Sequence, residues 1–263
     1  MKSFPLAGIL LCIVAIGTLF NSCKKCHPEK IEPSPVKTIK SIRINNGQTE
    51  KNLIFKYDQD GHISYVGPSD LQNGYTYKYR GSKISHIEHR VDRYTYEIDL
   101  INSLFLIKKA EDIHFSTPLT PSKVGDLTIL STNANELAYL ELQIRDGNLV
   151  KAHTNAFYLK TSLNFQYNDT VGQVYGNSIP VIQLKNPLNP TAAVWINELI
   201  SLALQAYSQK QLISFHSVYS SARLNYTQHA GAISSIHCRV EELDPDGVLK
   251  KTTETDLTYT YSN

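Results

Sequence analysis

The sequence predicts an all-β, mainly antiparallel protein: a large twisted sheet or barrel-like meander of hairpins with one buried helix near residues 191–209. Three observations support this fold class. Many short segments alternate between apolar and polar residues with a period of two, as half-buried strands do. The chain contains 16 Tyr and 8 Phe, and aromatic residues favour strands. Turn pairs such as Asn46-Gly47 separate consecutive segments, as in tight hairpins.

The first 22 residues have the features of an export signal. Lys2 supplies a positive charge, and an apolar run from Leu6 to Phe20 follows, interrupted only by glycine and threonine. The run is shorter than the roughly 20 apolar residues that a membrane-spanning helix needs. Its length matches the apolar region of a secretory signal, roughly 7–15 residues. We therefore expect residues 1–22 to be a signal peptide.

The signal ends in Leu19-Phe20-Asn21-Ser22-Cys23, which resembles the lipobox of bacterial lipoproteins. The resemblance implies that cleavage follows Ser22 and that Cys23 receives the lipid that attaches the protein to a membrane. Ordinary secretion and an uncleaved anchor are the alternatives. Residues 23–36 are rich in proline and lack periodicity, so they predict a semi-rigid tether behind the lipidated cysteine.

The segment from Cys23 to His27 also matches C-x-x-C-H, the pattern for covalent haem attachment. Haem attachment would need both thiols, with the histidine as an axial ligand, and lipidation of Cys23 excludes it. Met1 is the only methionine, so no methionine could be a second axial ligand. We therefore predict no cofactor.

Residues 37–263 are predicted to form a single antiparallel β domain. Residues 110–124 contain prolines and are expected to be a long loop, and Asp244–Gly247 is expected to be a hairpin turn between two long strands. The predicted strands lie near 42–45, 53–57, 63–65, 75–79, 84–87, 94–98, 105–107, 136–145, 149–153, 163–167, 171–175, 212–227, 229–243 and 247–261.

A weak unit recurs along this domain. It consists of an aromatic residue or leucine, one further residue, a tyrosine, and then a polar turn with glycine. The spacing is irregular, so the unit indicates repeated hairpins rather than a solenoid. Its instances are Phe55-Lys56-Tyr57, Tyr77-Lys78-Tyr79, Phe165-Gln166-Tyr167 and Leu224-Asn225-Tyr226.

One segment departs from the β pattern. Asn189-Pro190 provides an N-cap and a proline at the first helical position, and residues 191–209 then predict a helix. Its polar residues, from Asn197 to Gln209, form one narrow stripe, and almost all others are apolar. So wide an apolar face requires burial against the sheet.

Candidate catalytic and metal-binding residues are few. On a strand, His86 and Glu88 share a face while His89 points away, so the three cannot converge on a metal. His237 and Glu241 also share a strand face, and we interpret both groups as surface residues. The motifs H-E-x-x-H and G-x-S-x-G and a phosphate-binding glycine loop are absent from the sequence. We therefore predict no metal site, no catalytic residues and no enzymatic activity.

Tyr75, Tyr77 and Tyr79 share one strand face and allow two interpretations. They could form a ligand-stacking site for sugar rings, with hydroxyls that add hydrogen bonds. They could instead be packing residues on a half-buried sheet. Only Lys78 and Arg80 flank them, and the net charge of the chain is +2, so nucleic acid is not an expected partner.

The chain has 4 cysteines. Cys12 leaves with the signal and Cys23 takes the lipid, so Cys26 and Cys238 remain. An oxidising envelope would permit a bridge between them. Because Cys26 lies in the tether, we expect both thiols to be unpaired.

Taken together, these features resemble the uncharacterised Bacteroidetes lipoproteins that carry a porin-like β domain of unknown function. The resemblance covers residues 37–263 and rests on the lipobox, the proline-rich tether, hairpins such as Phe55–Gly61, and a helical insert after Asn186-Pro187. It implies an antiparallel, barrel-like fold without assigned catalytic residues. The hairpins also look like those of tyrosine-aspartate repeat proteins.

We therefore predict a lipid-anchored cell-envelope protein with a binding or structural role, which contacts the membrane through Cys23 and has a glycan or envelope protein as its partner. The alternative is a carbohydrate-binding or carbohydrate-active envelope protein. The expected location is the outer membrane. In surface-exported members of the family an acidic cluster tends to follow the lipidated cysteine, whereas Lys24-Lys25 follow it here, which favours the periplasmic side.

A membrane-embedded outer-membrane barrel is the structural alternative, because alternation and aromatic belts would also fit it. Two features speak against it. A lipid anchor is redundant for an integral barrel, and the chain ends in Tyr261-Ser262-Asn263, whereas such barrels usually end in an aromatic residue.

Overall fold

Antiparallel strands dominate the computed structural model, which describes residues 38–110, 112–132, 138–156, 159–171, 194–218, 220–229, 232–244 and 246–262. The described residues contain 17 strands, β1–β17, and a helix, α1. Their bounds are β1 (Ile39–Asn45), β2 (Glu50–Tyr57), β3 (Ile63–Gly67), β4 (Gly74–Arg80), β5 (Lys83–Val91), β6 (Tyr94–Asp99), β7 (Leu104–Lys109), β8 (Asp112–Pro118), β9 (Thr120–Val124), β10 (Leu127–Ser131), β11 (Ala138–Arg145), β12 (Asn148–Ala156), β13 (Leu159–Val171), α1 (Val194–Ala206), β14 (Lys210–His216), β15 (Ser220–His229), β16 (Ala232–Leu243) and β17 (Leu249–Tyr261).

The strands pair with their neighbours in chain order, from β1 to β8 and from β9 to β17. β1 pairs with both β2 and β17, so Ile42 lies between Leu53 and Tyr259. Only Leu119 separates β8, which pairs with β7, from β9, which pairs with β10. The sheet therefore returns to its starting strand and is a nearly closed, barrel-like structure. This confirms the predicted all-β, antiparallel fold class.

Side chains on the inner face of the sheet are mainly apolar, and those on the outer face are mainly polar. In β16, Ile236, Cys238 and Val240 are at most 1% exposed, while the intervening His237 and Arg239 side chains are 42% and 51% exposed. A transmembrane barrel has the reverse arrangement, with apolar residues facing lipid around a polar interior. The described strands thus enclose an apolar core and turn their polar side chains outward.

The helix α1 lies inside the sheet. It contacts β5 and β6 and also β11 and β12, which lie apart along the sheet, so it must cross the interior. Leu199 and Ala203 are fully buried, and even Glu198 and Gln205 are only 6% and 1% exposed. The predicted buried helix is confirmed, but it ends at Ala206 instead of at residue 209; residues 191–193 of its predicted span lie outside the described residues. Within the described ranges, no helix has the length and apolar character to cross a membrane.

Two predicted segments are wrong. Residues 112–124 form β8 and β9 instead of a loop. Each of these strands has one described ladder partner, and such strands tolerate proline where the missing N–H points away from that partner. The predicted strand 212–227 is divided into β14 and β15, because the chain turns where Ser217 N–H donates to Ser220 O at 2.7 Å. The predicted strand 171–175 lies outside the described residues beyond Val171.

Tyrosine hydroxyls join neighbouring strands at one end of the sheet. Tyr79, near the end of β4, donates to the carbonyl of Ile63 at the start of β3, at 3.0 Å. The strands that supply the acceptor carbonyls all begin at the same end of the sheet. This holds on both sides of β8 and β9, because these two strands run in the same direction and together cross the sheet once. The recurring unit therefore has a physical cause: a half-buried ring near a strand end needs a partner for its hydroxyl. The equivalent donor–acceptor pairs are Tyr57 with Ile39, Tyr167 with Leu149, Tyr226 with Leu212 and Tyr261 with Ile233.

Candidate functional site

The predicted stacking residues Tyr75, Tyr77 and Tyr79 share one face of β4, and this face is the interior. Tyr75 and Tyr77 are 5% and 4% exposed, and Tyr79 is half-buried. The three rings therefore pack inside the sheet and do not form a surface platform for a sugar. Stacking of these rings on a ligand stays a prediction.

A polar cluster connects β4 and β5 to α1 inside the sheet. His89 Nδ1 lies 2.7 Å from Glu198 Oε2, and the His89 ring stacks on Tyr75 with centroids 3.9 Å apart and planes 5° apart. Tyr77 donates a short hydrogen bond to Gln205 Oε1. Each of these side chains is almost fully buried, so the cluster fixes the helix against the wall.

Two polar groups of this cluster lack a hydrogen-bond partner: the Tyr75 hydroxyl and the Gln205 Nε2 group. Burial, and then the nearby Glu198 carboxylate, hold the pKa of Tyr75 well above its usual value. A histidine–carboxylate pair can transfer protons in an active site. A substrate, however, could reach a pair this enclosed only if the wall moved. We therefore assign the cluster a structural role.

His86 and Glu88 project from the outer face of β5, and His89 points the opposite way, as predicted. The interpretation of His89 as a surface residue is wrong, because that opposite face is the interior and His89 is only 4% exposed. The cluster that they form contains Glu97 from the next strand, which the sequence did not indicate. His86 Nε2 lies 3.1 Å from Glu88 Oε1 and 3.8 Å from Glu97 Oε2. Lys78 approaches Glu88 at 3.1 Å and Lys108 approaches Glu97 at 2.6 Å.

These three potential ligand atoms lie within 4.8 Å of one another, but each carboxylate already has a lysine partner. The hydrogen bond from His86 is the largest cause that lowers the pKa of Glu88 to about 2, and Lys78 adds to it. We interpret the group as an ion-pair network on the outer face of the sheet and place no metal there.

His237 and Glu241, which share a face of β16, have separate partners. The Nδ1 atom of His237 lies 2.8 Å from Asp256 Oδ1 on β17. Glu241 pairs with Arg239 at 3.0 Å. The two side chains are 42% and 36% exposed, which agrees with their interpretation as surface residues.

Asp58, Asp60 and His62 in the turn between β2 and β3 also bring potential ligand atoms within 4.8 Å. Asp58 Oδ1 accepts hydrogen bonds from the N–H groups of Asp60 and His62 at 3.0 and 2.8 Å. Asp244 makes the same two bonds, at 3.0 and 2.8 Å, in the turn between β16 and β17, where Val248 occupies the position of the histidine. The first aspartate is therefore used to form the turn in both places.

A groove of about 210 Å³ lies on the outer face of β2–β5. Its lining combines an aromatic ring, a hydroxyl and charges of both signs. The sequence prediction did not identify this groove, because its residues come from four strands and one turn. The lining residues are Lys56, Tyr65, Leu71, Gly74, Thr76, Glu88 and Arg90.

Cys238 is a free, fully buried thiol, and burial raises its pKa to about 12. Such a thiol reacts slowly, since the thiolate is the reactive form. Cys26 and the predicted lipid acceptor Cys23 lie outside the described residues.

Comparison with known proteins finds similar solved structures but no matching sequences. No family model and no curated protein sequence match the chain. A solved porin-like protein from Bacteroides vulgatus is 13% identical, with a TM-score of 0.47, over 85% of this chain and 98% of its own. A porin-like protein from Bacteroides uniformis is 8% identical, with a TM-score of 0.45, over 86% and 99%. At these identities and TM-scores, the similarity does not indicate a function. The fold assignment rests on the strand pairing.

Proposed function

We propose that this chain is a lipid-anchored protein of the bacterial cell envelope with a binding role and no catalytic activity. In this proposal Cys23 carries the lipid, residues 23–36 are the tether, and the β domain holds its polar outer face to the aqueous compartment. The location is the outer membrane, on its periplasmic side.

The filled interior is the observation that carries this proposal. Phe105, Phe215 and Leu142 are at most 1% exposed, and α1 occupies the space between opposite walls. A conducting barrel needs a polar, water-filled lumen, whereas this interior consists of packed side chains. Contacts with a partner would therefore be made by the polar outer face.

The opening residues support the anchor. The apolar run to Phe20 and the following Asn21-Ser22-Cys23 resemble a lipoprotein signal. A lipid on Cys23 would hold the domain at a membrane without any membrane-embedded strand, which agrees with polar outward side chains such as Lys56, Arg223 and Arg239.

The anchor is tested by Cys23→Ala in the full chain, with Cys26→Ala as the matched control. We expect Cys23→Ala to abolish metabolic labelling with a fatty acid and to move the protein from the membrane fraction to the soluble fraction. Cys26→Ala should leave both unchanged. Fatty-acid labelling of the Cys23→Ala protein would refute the anchor.

The filled interior is tested by adding the purified full chain to a planar lipid bilayer. We expect no stepwise conductance at any protein concentration at which a porin control conducts. Reproducible channels that disappear on heat denaturation would refute the proposal that the sheet encloses a packed core.

A further inference from the structure

The groove on the outer face follows one cross-strand row. Lys56 on β2 lies opposite Tyr65 on β3, Tyr65 lies opposite Thr76 on β4, and Thr76 lies opposite Glu88 on β5. Arg90 is on the same face of β5, two residues after Glu88, and lies opposite Gly74. The groove therefore presents an aromatic ring in the middle of a row of polar side chains.

Tyr65 is held in a defined position over two glycines. Its hydroxyl approaches the backbone carbonyls of Asn73 and Pro68 at 2.6 and 3.0 Å. A Cβ atom at Gly67 or Gly74 would come within 2.3 or 2.7 Å of the hydroxyl oxygen. The glycines thus make room for the phenol end of the ring. Because backbone carbonyls bind the Tyr65 hydroxyl, a ligand would contact the part of the ring that is open to solvent.

The charges in the groove are not balanced by internal pairing. Within the described ranges, neither Lys56 nor Arg90 has an ion-pair partner within 4.0 Å, whereas Glu88 is already paired with Lys78 and His86. Asp70 is the other acid near the groove. Burial is the largest cause that raises the pKa of Tyr65, and the negative charge of Asp70 is the second. Two cations without partners beside an immobilised ring favour a ligand that combines a carboxylate with a sugar ring.

We propose that this groove binds a single sugar unit that carries a carboxylate, of the uronic acid type. The sugar ring packs on Tyr65, the carboxylate pairs with Arg90, and a sugar hydroxyl donates to the Glu88 carboxylate, while Lys56 adds positive charge on the far side of the ring. The groove volume of about 210 Å³ limits the contact to one sugar unit. This inference rests on the proposed binding role and specifies the ligand class.

The test uses the full chain in mild detergent and two probes, methyl glucuronide and methyl glucoside, which differ by a carboxylate in place of a hydroxymethyl group. Calorimetry or saturation-transfer NMR measures binding. We expect the glucuronide to bind about tenfold more tightly at low salt, with the difference reduced at high salt because the charges are exposed. Equal binding of both probes, or no binding of either, would overturn the proposal.

Arg90→Gln keeps the ring and lies at an exposed position, so it should fold as the parent does. We expect it to weaken glucuronide binding about five- to tenfold and to leave the glucoside unchanged. Tyr65→Ala should weaken both probes, and Tyr139→Ala, on the outer face of β11, is the matched control that should weaken neither. An Arg90→Gln protein with parental selectivity would refute the site. An anchored, non-conducting protein that binds no glucuronide would refute the groove assignment alone and leave the proposed function standing.

Discussion

Two histidine–carboxylate pairs of nearly equal length differ in their surroundings. His89 and Glu198 lie 2.7 Å apart with side chains 5% and 8% exposed, and His237 and Asp256 lie 2.8 Å apart with side chains 42% and 68% exposed. Water screens the outer pair and replaces either partner when the other is lost. The inner pair is shielded from water, so loss of one partner is more costly there.

The difference shows that burial, rather than distance, decides what a polar contact does in this fold. The inner pair joins α1 to β5 and determines how the helix sits in the sheet. The outer pair joins β16 to β17, which an extensive backbone ladder already holds together.

The largest effect should follow from His89→Leu. This change removes the imidazole from the buried Glu198 carboxylate, and we expect the free energy of unfolding to fall by about 3–5 kcal/mol. The double variant His89→Leu with Glu198→Leu removes both polar side chains and should recover most of that loss. Urea denaturation of the full chain measures both. A double variant that is less stable than His89→Leu would show that the pair is not the dominant contact.

An intermediate effect is expected at Glu88, which lies between the two extremes with a side chain 27% exposed. Its pKa is lowered from 4.5 to about 2, so the folded state favours the ionised form. This stabilisation is present above the unfolded pKa of 4.5 and is lost as the pH falls toward 2. We expect a contribution on the order of 2 kcal/mol.

The measurement compares the parent with Glu88→Gln across this pH range. The stability difference between the two proteins should shrink as the pH falls from 4.5 to 2. The comparison between proteins cancels the titration of the other carboxylates. A difference that stays constant down to pH 2 would contradict the assignment.

A smaller effect should follow from Tyr226→Phe, which changes the strand-end tyrosine of β15. The change removes the donor to the Leu212 carbonyl, at 2.5 Å, and we expect a loss of about 1 kcal/mol in unfolding free energy. Tyr139→Phe is the control, because its hydroxyl donates to Glu141 on the outer face at 3.0 Å. Equal losses for the two variants would argue against a special role for the strand-end tyrosines.

The smallest effect belongs to the outer pair. A double-mutant cycle with His237→Ala and Asp256→Ala should give a coupling energy of roughly 0–1 kcal/mol. Because the charges are exposed, the coupling should decline as salt is added. A coupling above about 2 kcal/mol would remove the contrast between the inner and outer pairs.

On β4 and β5, period-two alternation was sufficient to predict which candidate residues share a face. It placed Tyr75, Tyr77 and Tyr79 together, and it separated His89 from His86 and Glu88. It could not assign an absolute direction, so the tyrosine row fitted a surface platform as well as a core. The wide apolar face of the helix, in contrast, required burial in any fold.

Partners on neighbouring strands could not be predicted, because register depends on long-range pairing. Glu97 beside His86 and Asp256 beside His237 are both consequences of register. The groove depends on a further irregularity. Strict alternation would place Ile63 and Tyr65 on one face, but β3 has an extra residue opposite Lys56 and Tyr57. This bulge turns Ile63 inward and Tyr65 outward.

The pairing of β1 with β17 determines when the sheet can be completed. Ile42 lies opposite Tyr259, and Ser262 N–H donates to Thr38 O at 2.9 Å. Contacts between such distant segments form slowly, because the loop that they close has a high entropic cost. During synthesis, one edge of β1 and one edge of β16 therefore remain unpaired until β17 has emerged. Such edges are templates for intermolecular pairing, so the chain is most prone to aggregation before β17 pairs with them.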